Sequence, residues 1–160
     1  FTSEEETTML GAINLDLANI ESNRIISLDN GKEGKILISS AECNEWKGKV
    51  NFTREKTAKP GFELVYDNFK GGHSGGNIGD ETRGNPIKLA IEILKKLEDV
   101  QLSNITGGSR VNVIPREMSV KFVTENKNAE EIITKEITKQ KEFYGKEVKI
   151  ELNKDLEIIE

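Results

Sequence analysis

The chain has 160 residues, of which 35% are hydrophobic and 32% charged, so one soluble domain, or one and a fraction, with a limited core is expected. A net charge of −5 with acids and bases interspersed argues against nucleic acid as the main partner, and no apolar run reaches the ~20 residues of a membrane span. The single cysteine, Cys43, excludes an internal disulfide and fits a reducing, cytoplasmic compartment.

The first residues, FTSEEET, read as a strand end running straight into a helix, without a start methionine or a leader, so the chain is expected to be a portion of something longer. Ser3 and Glu6 have capping-box spacing, and Leu10, Ile13, Leu17 and Ile20 follow with helical period. RIISLD and KILISSA then read as strands. A parallel strand–helix–strand crossover would place Glu4, Glu5, Glu6 and Asp29 on one rim of a sheet, where open α/β sheets gather ligands.

From about Glu45 the pattern turns antiparallel. KVNFTRE alternates, and Phe62, Leu64 and Tyr66 share one strand face. Asn85 and Pro86 open a helix with an expected stripe of Ile87, Ala90, Ile91, Leu94 and Leu97. QLSNIT, SRVNVI and EMSVKFVT supply strands. A second helix starts with Asn128 and Glu131 in capping-box positions, carries Ile132, Ile133 and Ile137, and stops near Gly145. EVKIEL closes the series. The order β-α-β-β-α-β predicts an α+β, ferredoxin-like sandwich, an antiparallel sheet with two helices on one face.

Three places carry chemistry. The acids at 4–6 complement a helix dipole, and with Asp29 they could also share a divalent ion and leave one carboxylate as a general base. His73, the only histidine, sits in KGGHSGGNIG, where glycines strip the side chains from both sides of the ring. Such an imidazole suits a ligand arriving from outside better than a metal, and can donate to charge developing on a substrate oxygen. A tolerant surface turn is the alternative. Asn112, between Val111 and Val113, should point away from the core and could donate to a substrate carbonyl or carboxylate; Arg110 and Arg116 lie near enough for anion binding. Trp46, Cys43 and the late acidic tail read as structural or solvated.

FTSEEETTMLGA, LDNGKEG, KGGHSGGNIG and NVIPRE, in that order, resemble the Xaa-His dipeptidases, the carnosinase-like branch of the two-metal exopeptidase superfamily that also holds tripeptidases and carboxypeptidases. The resemblance implies residues 1–44 as a fragment of an α/β catalytic domain and 45–160 as a lid and dimerisation domain. It implies Glu5 as the general base acting on a water held by two divalent ions, Glu6 and Asp29 as ligands of those ions, His73 as the group steadying the oxyanion, in its own subunit or a partner's, and Asn112 as a substrate donor. Zinc is the first choice of metal, with manganese or cobalt as alternatives, and none is expected on this stretch alone. The implied partners are a dipeptide and a second copy of the chain, with no nucleic acid and no membrane. The family's further ligands, an His-x-Asp pair, a bridging aspartate and a late histidine, are absent from this sequence, and Glu125 stands where many relatives carry a carboxylate-binding arginine. Other readings are a non-catalytic dimerisation module, another exopeptidase of the superfamily, and a small-molecule sensor.

Overall fold

A computed structural model describes residues 8–24, 26, 33–36, 38 and 44–156. The chain divides into two units, Phe1–Ser40 and Ala41–Glu160. In the first, the expected single helix is broken. Helix α1 covers only Leu10–Ile13, and a separate 3-10 turn covers Leu17–Asn19. Asp16 explains the break: its carboxylate accepts from Ala18 N at 3.0 Å and Asn19 Nδ2 at 2.7 Å, capping a new turn instead of continuing the old one. The Ser3–Glu6 capping box and most of RIISLD and KILISSA lie outside the described residues; those of their positions that are described are not in strands.

In the second unit KVNFTRE is not a strand. Its apolar alternates Val50 and Phe52 are exposed, and Phe52 lies beneath the Arg54 guanidinium at 5.3 Å.

The elements that follow build the fold. Strand β1 is Gly61–Asp67, β2 Gly72–His73, helix α2 Pro86–Leu94, β3 Gln101–Gly107, β4 Val113–Ile114, β5 Met118–Val123, helix α3 Ala129–Tyr144 and β6 Lys149–Lys154. Strands β3, β5, β1 and β6, in that spatial order, form an antiparallel sheet; β2 and β4 make a separate two-stranded ribbon. Setting the ribbon aside, the order is the expected β-α-β-β-α-β, with each helix carrying the chain over one intervening strand.

Register explains the core. Leu64 faces Val120 and Leu152 across the ladders, and Tyr66 faces Met118 and Ile150, so one sheet face is apolar by the two-residue alternation of its strands. That face is buried in a single cluster with Leu89, Ala90 and Ile93 of α2 and Ile133 and Ile137 of α3, which puts both helices on the same side. The opposite face is polar: Glu63 of β1 accepts from Ser119 Oγ of β5 at 2.8 Å and Asn153 Nδ2 of β6 at 3.2 Å, with Lys121 Nζ at 3.9 Å.

Both helices depart from expectation in detail. Asn85 caps α2 as predicted, accepting from Ile87 N and Lys88 N, with Pro86 at the first position. The buried stripe, however, is Pro86, Leu89, Ala90, Ile93 and, just beyond the helix, Leu97; Ile91 is exposed. Lys88, Glu92 and Lys95, spaced four and three apart, mark the wet face, and Ile91 sits beside them. For α3, Asn128 makes no side-chain cap, and its backbone amide, the donor that Glu131 would meet in a capping box, is engaged by Asn126 Oδ1 at 2.9 Å. The helix ends at Gly145, whose φ of +97° is left-handed. No described helix is long and apolar enough to cross a membrane.

Candidate functional site

The site is built on the β2–β4 ribbon. His73 pairs with Val113 and Gly72 with Ile114, and one step further out Ser74 N donates to Asn112 O at 3.0 Å. The two residues singled out in sequence for substrate contact, His73 and Asn112, are thereby brought to the same end of one ribbon, both exposed. Asn112 lies in a turn, not within a strand: Val111 beside it is exposed too, so the expected alternation starts only at Val113.

The ribbon's inner end is tied to the core. Phe69 N donates to Arg116 O at 3.1 Å, and Arg116 Nε returns a bond to Phe69 O at 3.1 Å. The Phe69 ring is fully buried between Tyr66 and Tyr144, at centroid distances of 5.8 and 5.7 Å. Arg116 therefore uses its Nε to brace the ribbon.

Beyond the ribbon the loop is closed on itself. Asn77 Oδ1 accepts from His73 N at 2.9 Å, and Asn77 N donates to His73 O at 2.9 Å. Inside that clasp His73 Nδ1 accepts from the amides of Gly75 at 3.0 Å and Gly76 at 3.1 Å. A neutral imidazole whose Nδ1 accepts carries its proton on Nε2. Gly72 is required here for two reasons: its φ is +139°, and a Cβ would stand 2.8 Å from Asn77 Oδ1.

A cation supports the clasp from behind. Arg83 Nη1 donates to Gly71 O at 2.6 Å while its Nε bonds Asp80 Oδ2 at 2.9 Å. The Thr82 hydroxyl and amide, together with Arg83, hold the Asp80 carboxyl below the usual aspartate range against the opposing effect of desolvation. Asp80 therefore stays ionised and keeps Arg83 in place. Sequence reading missed Asn77, Asp80 and Arg83. The available signal was an asparagine four residues after the histidine, with only Ser-Gly-Gly between.

Glu5, Glu6 and Asp29 lie outside the described residues, as does Cys43. Among the described residues no group of three or more histidine, cysteine, aspartate or glutamate side chains could hold a metal ion. Glu125, at the expected arginine position, lies 3.8 Å from Lys59 Nζ.

A family profile described as a peptidase dimerisation domain matches residues 67–146, half of the chain and all of the ribbon, both helices and two of the sheet strands. The chain belongs to this peptidase dimerisation domain family. It is 34% identical over 122 residues, 72% of its length, to the cytosol non-specific dipeptidase of Escherichia coli (strain K12), and spans about a quarter (25%) of that relative. The crystal structure of an aminoacylhistidine dipeptidase from Vibrio alginolyticus superposes with a TM-score of 0.55 at 30% identity, over 65% of this chain and 23% of that one. The α+β architecture of this dimerisation domain and its place among peptidases thus agree with the resemblance read in the sequence.

Proposed function

We propose that this chain is part of a metal-dependent dipeptidase acting on dipeptides with a C-terminal histidine, and that His73 and Asn112 are its contribution to substrate contact. The observation that carries the reading is the exposed imidazole whose Nδ1 is engaged by two backbone amides, leaving Nε2–H as donor, on the ribbon end that also carries Asn112. A pre-oriented N–H is suited to a peptide oxygen that gains negative charge as its carbonyl becomes tetrahedral. Glu5 would take a proton from the attacking water and pass it to the leaving amine. Glu6 and Asp29 would be metal ligands, joined by donors that this sequence does not supply. The bound ions would supply Lewis acidity.

The test is turnover of Xaa-His and other dipeptides by the full-length protein. His73→Ala is expected to lower kcat by about a hundredfold, in line with loss of one oxyanion donor. Glu5→Gln should nearly abolish turnover, and chelation should remove it until zinc or manganese is restored. Unchanged kcat in His73→Ala refutes the role assigned to that ring.

A second reading concerns this stretch by itself, and the family match favours it: residues 45–160 serve as a lid and pairing module that forms a homodimer. Sedimentation that gives a monomer at all concentrations would refute the pairing.

A further inference from the structure

We infer that Asn77 is a positioning residue that sets the tautomer of His73. The inference deepens the oxyanion reading above and rests on it for its catalytic consequence. Among the described residues the imidazole has no side-chain partner on Nδ1. It is held by two successive amides, Gly75 N and Gly76 N, at 3.0 and 3.1 Å. Glycine pairs are conformationally loose, and these two amides converge on one nitrogen only if the segment from 73 to 77 is closed. Asn77 closes it twice, through its side-chain oxygen to His73 N and through its own amide to His73 O.

The clasp is backed as well. Asn77 Oδ1 and Arg83 Nη1 both crowd the face of Gly72, at 2.8 and 3.0 Å from where a Cβ would be, so the carboxamide has a fixed seat. Arg83 in turn is held between Gly71 O and Asp80. The Asn77 carbonyl is thus the side-chain group that closes the glycine loop into a two-donor cradle for Nδ1. With that cradle filled, the proton of the neutral ring belongs to Nε2, the nitrogen an incoming carbonyl oxygen needs.

His73 is the only histidine, so the imidazole nitrogens of the uniformly 15N-labelled chain are read by NMR without assignment. With the ring neutral, the wild-type chain should show one acceptor-type Nδ1 and one protonated Nε2. Asn77→Ala should move both resonances toward the averaged positions of free imidazole while the amide pattern of the sheet stays in place. Asn77→Asp, whose carboxylate can accept from His73 N, should restore them. Averaged tautomers in the wild-type chain, or an Asn77→Ala spectrum identical to wild type, would overturn the inference. In the full-length protein Asn77→Ala should lower kcat about ten- to a hundredfold and leave KM nearly unchanged, as for a displaced donor. A tautomer released by Asn77→Ala with no loss of kcat would instead overturn the oxyanion role of His73 and leave the positioning role standing.

Discussion

Single residues decide the geometry of the loop. Gly72 occupies a backbone region closed to side chains, and its missing Cβ makes the room that Asn77 Oδ1 fills. Gly72→Ala should therefore cost about 1–3 kcal/mol in urea unfolding, the usual range for a strained backbone residue, and should also disturb the His73 resonances. Substitution at Gly79, where a Cβ would meet nothing within 4 Å, should do neither. The histidine and its glycines were conspicuous in the sequence, but Asn77 was not. An asparagine near glycines most often belongs to a turn, and only the fold shows which amide its oxygen meets.

At the scale of elements, the polar sheet face is laced by one carboxylate. The Ser119 hydroxyl chiefly, then Asn153 and Lys121, hold the Glu63 carboxyl below the usual glutamate range, with desolvation opposing them. Because the folded chain keeps Glu63 ionised where the unfolded chain takes up a proton, this contribution is present above the ordinary glutamate range. It is lost as pH falls through the lowered folded value. Ser119→Ala should cost about 1 kcal/mol at neutral pH and flatten the acid limb of a urea-midpoint profile measured from about pH 6 to 3. A profile as steep as wild type would show that Ser119 does not set this titration. Elements also show the limits of periodicity. Strands β1, β5 and β6 and the cap of α2 were legible because alternation and Asn-Pro are local signals. KVNFTRE alternates equally well but forms no strand, and it is the Arg54 side chain that reaches a sheet carbonyl, that of Ser103; the stripe of α2 was misplaced because its apolar residues allow two overlapping faces. The charges at 88, 92 and 95 separate them.

Across the whole second unit, one polar bridge joins the layers inside the apolar core. Tyr66 Oη of the sheet donates to Gln140 Oε1 of α3 at 2.9 Å, and Gln140 Nε2 donates to Leu89 O of α2 at 3.3 Å. Burial, only partly offset by Gln140, pushes the Tyr66 phenol well above the ordinary tyrosine range. The folded chain thus holds a proton that the unfolded chain releases, so stability is full below about pH 10 and falls as pH rises above it. Tyr66→Phe leaves a buried carboxamide oxygen without its donor and should cost about 1–3 kcal/mol near neutrality. It should also weaken the alkaline fall, measured by denaturant midpoints on either side of pH ~10. An alkaline fall as steep in Tyr66→Phe as in the parent would assign it elsewhere.

By itself the sequence determined the order β-α-β-β-α-β, the apolar faces of β1 and β6, the stop of α3 at Gly145 and the exposed histidine. Each is a consequence of local backbone preference, or of which residues water rejects at a period of two or near four. Only the tertiary structure decided that Phe69 roots the ribbon, that the ribbon carries Asn112 to the end where His73 stands, and that Asn77, Asp80 and Arg83 support the imidazole. Those outcomes depend on hydrogen-bond donors and acceptors meeting in three dimensions, and residue types at fixed spacings do not encode which of several available partners will be reached.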